Sequence, residues 1–365
     1  MERAILEKLK KRDSLDELSK EVVDNWENLD AEFKLNFLFT LRRENMRDFA
    51  ESISRILSME QNERIQATMV KIFHQLGVDT SGTFFLQCIH SIDPRVRANA
   101  LEAIGNKYTE KYEDVVFAFL DDMDNRVRAN AIKILWASGD LKVKLALKRM
   151  IFDPDLWMRI SGLYVIQSMR LSEFTPEVIK LFEDNVDTVR EWAYKSVSFI
   201  LNSHNSDKLR SAVQGRYYLE ENHFLRNEII NALIELRGGD DFLKDVLIKE
   251  KKSYIKGVVL KGFYRNKIPL SLEFCYNIYN KENTDEMIKG ELIKLLEICR
   301  ESRKERLDFL QKVFCDDASH YLKKLSASVL GRFCNEEEFA EFEFAGNDDN
   351  KEYIELIYKG FDSRL

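Results

Sequence analysis

Asp93-Pro94-Arg95-Val96-Arg97-Ala98-Asn99-Ala100 and Asp124-Asn125-Arg126-Val127-Arg128-Ala129-Asn130-Ala131 stand 31 residues apart and differ at one of eight positions. The same spacing runs outward without drift through Ile65-Gln66, Val96-Arg97, Val127-Arg128, Met158-Arg159 and Val189-Arg190. Met69, Ala100, Ala131, Gly162 and Ala193 follow four residues behind. A fixed period of this length belongs to a stacked repeat protein, in which one supersecondary unit recurs along the chain.

Each unit reads as two helices. Asp93 is a good N-cap and Pro94 suits the first helical position, so a helix starts there. Val96, Ala100, Leu101 and Ile104 then fall on one face. Gly105-Asn106 weakens that helix near its end. A second helix is predicted from about Glu110 to Asp121, with Val116 and Leu120 as an i, i+4 apolar pair. The pair recurs as Phe85 and Ile89, Leu147 and Ile151, and Val178 and Phe182. One such hairpin cannot bury both apolar faces, whereas stacked neighbours share a continuous core.

The two octapeptides resemble the HEAT repeat, and Asp153-Pro154-Asp155-Leu156-Trp157-Met158-Arg159 and Asp187-Thr188-Val189-Arg190-Glu191-Trp192-Ala193 are weaker copies. Fainter copies lie at Phe33-Lys34, Leu225-Arg226, Ile255-Lys256, Ile288-Lys289 and Leu322-Lys323. The resemblance implies an all-α, right-handed α-solenoid of about ten HEAT-like, armadillo-like hairpins. Capping helices are expected over 1–32, regular repeats over 33–203, degenerate repeats over 204–334 and an acidic cap or tail over 335–365. The spacing widens to 36 between Val189 and Leu225, which puts an insertion near His204–Tyr218. Ser14-Leu15-Asp16-Glu17 fits a capping box. A last helix is expected over Lys351–Lys359.

The composition suits such a fold. Four prolines and fourteen glycines in 365 residues are few for a sheet protein rich in turns. The five cysteines, Cys88, Cys275, Cys299, Cys315 and Cys334, share no metal-type spacing and read as buried, reduced thiols of a cytoplasmic protein. The net charge of −7 favours solubility and disfavours unselective binding to nucleic acid. No stretch approaches the length of a membrane span. No HExxH, GxSxG, P-loop or GxGxxG occurs, and no cofactor is implied. Arg237-Gly238-Gly239-Asp240-Asp241-Phe242 resembles the diguanylate cyclase signature. It stands between two helical segments, however, and reads as a hairpin turn with Asp240 as cap.

Two rows of polar residues follow the period. Arg97, Arg128, Arg159, Arg190 and Arg226, continued by Lys256, Lys289 and Lys323, form a ladder. Its reading is structural: each Arg braces the Asp that opens its own helix, Asp93, Asp124 or Asp155. Six residues after each Val position come Lys71, Glu102, Lys133, Tyr164, Lys195, Asn231, Lys261 and Lys294. The HEAT resemblance places such residues on the second helix of each pair, along the concave face. With Asn99, Asn130, Trp136 and Trp192 they make a candidate groove for a protein partner. The expected contacts are Lys133, Lys195, Trp136, Tyr164, Trp192 and Asn130, then Asn99, Lys71 and Lys261. A solvated helix face is the plain alternative.

The tryptophans beside Arg159 are also similar to alkylpurine DNA glycosylases built from HEAT-like repeats. That keeps nucleic-acid binding as an alternative, although no Asp here matches a catalytic one. HEAT-like repeats also occur in bilin lyases, so an accessory lyase is a further alternative. The primary reading is a non-enzymatic scaffold.

Nearest-neighbour packing has a direct consequence. Ala131→Arg, in mid-array, buries an unpaired charge and is expected to cost about 4 kcal/mol or more. The same change in a terminal repeat should cost less. Equal losses at both places in thermal melts count against a solenoid.

Overall fold

The computed structural model describes residues 2–78, 83–107, 109–281, 284–316, 319–342 and 350–362. The chain is an all-α solenoid, with no strand among the described residues. No helix among them is long and apolar enough to cross a membrane. Two compact units divide it, Met1–Leu171 and Ser172–Leu365.

In the first unit the repeat motifs form the helices Glu63–Leu76, Pro94–Lys107, Asn125–Leu135 and Leu156–Met169. These motif helices stack on one another in order, and Ala31–Arg43 precedes them. The helices between them, such as Leu141–Ile151, pack behind as a second row. Val96, Val127, Ala100 and Ala131 are at most 2 % exposed. The small residues in this set let consecutive helices approach, as the pattern requires. Asp124 accepts the N–H groups of Arg126 and Val127, both at 3.0 Å, and Asp155 accepts that of Trp157 at 2.9 Å. The helices therefore begin where the caps place them.

The N-terminal helix Leu15–Asn25 starts differently from the expected capping box. Ser14 adopts φ 50° and makes no cap bond to the helix. Its hydroxyl donates to Asp13 instead. In αL geometry its side chain is not aimed at the N3 amide.

In the second unit Asp187–Ile200, His223–Leu236, Ser253–Arg265, Glu286–Leu295 and His320–Phe333 are the motif helices and stack in order. The residues added between Val189 and Leu225 are taken up by a turn and the 12-residue helix Ser206–Tyr217. Asn205 pins that turn from within, donating to Thr175 Oγ1 and the Ile200 carbonyl, each at 2.9 Å. The Gly238-Gly239 segment joins two helices, with Gly238 at φ 68°. Gly239 is the N-cap, and Asp240 is the first helical residue rather than the cap.

Four cysteines are buried as expected, whereas Cys315 is exposed. The expected helix at the end of the chain runs over Lys351–Asp362 and packs on His320–Phe333. Tyr353 and Ile357 are buried in that contact. A Cβ on Gly360 would lie 2.5 Å from the Gly331 carbonyl carbon, so the two backbones touch. The acidic run Gly346-Asn347-Asp348-Asp349 lies outside the described residues.

Gly360→Ala is accordingly expected to cost about 1–3 kcal/mol. Hydrogen exchange should show lost amide protection over 351–362 with the earlier repeats unchanged. Unchanged protection over that helix would remove the close-contact argument.

Candidate functional site: a braced ladder and its outer face

The cation ladder is a brace, but in the first unit its paired acids are not those at the helix starts. Asp93 holds Arg95, through its backbone N–H at 2.7 Å and its guanidinium. Those bonds, Arg95's guanidinium first, keep the Asp93 carboxyl below the usual range. Arg97 instead reaches forward to Asp122, at 3.0 and 2.9 Å, and back to the Ser91 and Ile92 carbonyls. Arg128 binds the Asp122 carbonyl at 3.0 and 2.8 Å and lies 3.8 Å from the Asp153 carboxylate. Arg159 binds the Asp153 and Pro154 carbonyls. Each Arg thus grips the carbonyl six residues before it and, where paired, the acid two residues before the next cap.

That acid also receives a backbone N–H. Asp122 takes the Asp124 N–H at 2.9 Å, and Asp153 takes that of Asp155 at 2.9 Å. The same unit occurs at Glu60, which accepts the Asn62 N–H, the Trp26 indole N–H and the Lys34 ammonium. Lys34 is itself buried, 5.1 Å from the Trp26 ring. One carboxylate therefore fixes a loop, the next helix start and the preceding repeat.

In the second unit Arg190 grips Glu220 with two bonds of 2.9 Å and also reaches Asp187 and the Asp184 carbonyl. Glu220 takes the Asn222 N–H. Burial pushes the Glu220 carboxyl up, but Arg190, the Asn222 N–H and the Tyr194 hydroxyl together bring it below its ordinary value. Tyr194, largely for its burial, is raised to about 12. Glu250 is the next junction acid and binds the Tyr217 hydroxyl, Arg226 and the Lys251 and Lys252 N–H groups. It too lies below its ordinary value, with burial opposing and those partners prevailing. Further on, rings replace acids: Lys289 sits 4.9 Å from the Tyr279 ring and Lys323 5.8 Å from that of Phe314. Asp122, Asp153 and Asp184 follow the 31-residue period, and Glu60 stands two periods before Asp122 with Ser91 between, so the signal was present in the sequence.

The second polar row lies on the motif helices, which are the first of each pair counted from Asp93, not the second. In the first unit Lys71 is exposed on Glu63–Leu76. Asn99 and Asn130 act between repeats: each donates its amide to the preceding motif helix, at the Ala67 and Ala98 carbonyls, both at 2.8 Å. Asn99 is 8 % exposed, so little of it faces outward. Lys133 lies 5.1 Å from the ring of Tyr164, which is 45 % exposed. A cleft of about 150 Å³ beside them is lined by Glu102, Gly105, Asn130, Lys133 and Ile134. Trp136 is half-buried, with Lys144 6.0 Å from its ring. Trp157 is exposed, unlike a core tryptophan.

In the second unit the row is charged but largely neutralised. Lys195 pairs with Glu191 at 2.5 Å, which raises its pKa, and Trp192 beside it is half-buried. Lys294 pairs with Glu291 at 2.9 Å. Lys261 is exposed. Tyr264 donates to Glu297, in the turn after Glu286–Leu295, and Arg265 to Glu235, each bond linking adjacent repeats. Among the described residues no group of three or more His, Cys, Asp or Glu could hold a metal ion.

A two-row helical array with a capped, braced motif helix in each unit defines a HEAT-type repeat protein. Residues 81–167 and 113–198 match the HEAT repeat family, so the chain carries HEAT repeats over that stretch. No curated protein sequence matches it. Among solved structures it is similar to Kap121p bound to Nup53p, at 13% identity and TM-score 0.51, over 90% of this chain and 43% of that one. It is likewise similar to Kap95p, in a structure on the binding of RanGDP, at 12% identity and TM-score 0.51, over 87% and 50%. These likenesses bear on the fold. The chain spans half or less of the length of either protein.

The brace makes an acid-dependent prediction. Glu220 and Glu250 titrate below their ordinary values in the fold, so their stabilisation is complete above the unfolded value of about 4.3. It is lost as pH falls through the folded values. Glu220→Gln is expected to cost about 3 kcal/mol at neutral pH and to flatten stability against pH below about 4.5. Denaturant melts from neutral to acid pH check this, and an unchanged profile in the variant counts against the brace.

Proposed function

We propose that this chain is a non-enzymatic scaffold that binds a protein partner through the outer face of its motif helices, the face that is concave in HEAT arrays. The observation that carries the reading is the Lys133–Tyr164 pair beside the Glu102–Asn130 cleft. An exposed aromatic ring, a cation and open amide and carboxylate groups together suit the anchor and polar rim of a protein interface. Trp136, Asn130 and Lys71 belong to the same unit and extend that surface. Trp192, Lys195 and Lys261 are the corresponding contacts in the second unit, and Asn99 contributes mainly by holding its neighbour in place. The fold's likeness to Kap121p and Kap95p, whose structures concern Nup53p and RanGDP, supports a protein rather than a small molecule as the partner. The buried thiols suit a reducing, cytoplasmic setting.

Nucleic-acid binding remains the second reading, because the row retains exposed Lys71 and Lys261. Pairing of Lys195 and Lys294 with glutamates weakens it, since neutralised lysines release few counterions on binding phosphates.

Affinity purification of the tagged chain, with and without nuclease, tests both. The expected result is a protein that survives nuclease and binds at least about 10-fold more weakly to Lys133→Glu and Tyr164→Ala. Partners that vanish with nuclease, or affinity that collapses with added salt, would replace this reading by nucleic-acid binding. Undiminished affinity in both variants would exclude the face.

A further inference from the structure

The ladder breaks at Lys256. Lys34, Arg97, Arg128, Arg190 and Arg226 each have a carboxylate within 4.0 Å, and Lys289 and Lys323 each have an aromatic ring. Lys256 has neither among the described residues. Where the Arg97–Asp122 and Arg128–Asp153 spacing of 25 residues would put its acid, the sequence has Lys281. Lys256 is half-buried, and its pKa is lowered, first by burial and then by repulsion from Lys281, against a weaker attraction from Glu250. Two like charges thus stand where those seven rungs have a carboxylate or a ring.

These lysines line a cleft of about 470 Å³ in the second unit. Lys251 is the third cation of its lining, and Leu247, Phe274, Ile278 and Ile288 are among its apolar residues. Two carboxylates also border it. Glu250 is occupied by Tyr217, Arg226 and two backbone N–H groups, and Asp285 caps the next motif helix by accepting the Met287 N–H. Among the described residues neither forms an ion pair with Lys256 or Lys281, although Glu250 attracts Lys256 at longer range.

We propose that this cleft binds a small organic oxyanion, a phosphate monoester or carboxylate on an apolar body, with Lys256 and Lys281 holding the charged group. The volume lies in the range of ligand sites, and a lining that combines apolar side chains with a few cations is the usual form of one. An anion placed between the two ammonium groups supplies the attraction that the missing junction acid supplies elsewhere. This site is independent of the partner-binding face.

The test is thermal unfolding of the full chain at constant ionic strength with phenyl phosphate, benzoate and inorganic phosphate in separate titrations. Phenyl phosphate or benzoate should raise the melting temperature saturably, and whichever gives the tighter curve identifies the head group. Inorganic phosphate should bind at least about 10-fold more weakly than phenyl phosphate, because it leaves the apolar residues uncovered. Lys256→Met should lose the response at least about 10-fold. Lys281→Glu should raise the melting temperature without ligand, by restoring the rung, and also abolish the response. That second variant serves even if Lys256→Met is poorly folded. No saturable shift up to about 10 mM, or an undiminished one in Lys281→Glu, overturns the proposal.

Discussion

One carboxylate at each paired repeat junction does three things at once. It accepts the N–H of the residue that caps the next helix, anchors the loop before it, and receives the cation of the preceding repeat. Glu60, Asp122, Glu220 and Glu250 all combine a backbone N–H with a cation. A partly buried carboxylate without those partners would be costly, so the junction is stable only when the neighbouring repeats are in register. The apolar core supplies the driving force for stacking, but apolar contact alone does not fix register. The charge-assisted bonds do, because their donors are directional.

The same constraint explains how the array changes along its length. In the first unit the rungs are Arg or Lys with carboxylates. Towards the end of the chain they become lysines over tyrosine and phenylalanine rings, which tolerate a wider range of geometry. The extra residues before Leu225 do not break the sequence of rungs, since Arg190 still finds its acid at Glu220. Lys256 is where the substitution is incomplete, and the result is an open cationic cleft rather than a closed junction.

The outer face follows different rules. Its residues repeat as strictly as the ladder, but neighbours decide their state: Lys195 and Lys294 are paired within their own helices, whereas Lys133 lies against Tyr164. Asn99 and Asn130 look like groove residues in sequence and act as struts between helices. A basic stripe in the sequence is therefore a mixed surface in the fold.

The sequence by itself determined the period, the two-helix unit, the caps at Asp124 and Asp155 and the small residues at Ala100 and Ala131. All of these depend on contacts within one repeat or on one strict spacing, which a linear pattern can carry. It also held the junction acids, at the same period, without saying which cation each would meet. Tertiary structure decided that pairing, because Arg97 could reach either Asp93 or Asp122 and only the stacked neighbour brings Asp122 within 3.0 Å. It also decided the facing of the second polar row, the exposure of Trp157 and Cys315, and the αL geometry at Ser14. Above all it decided the cleft that Lys256 and Lys281 line together, because two residues 25 apart in sequence meet there only through the stacking of neighbouring repeats.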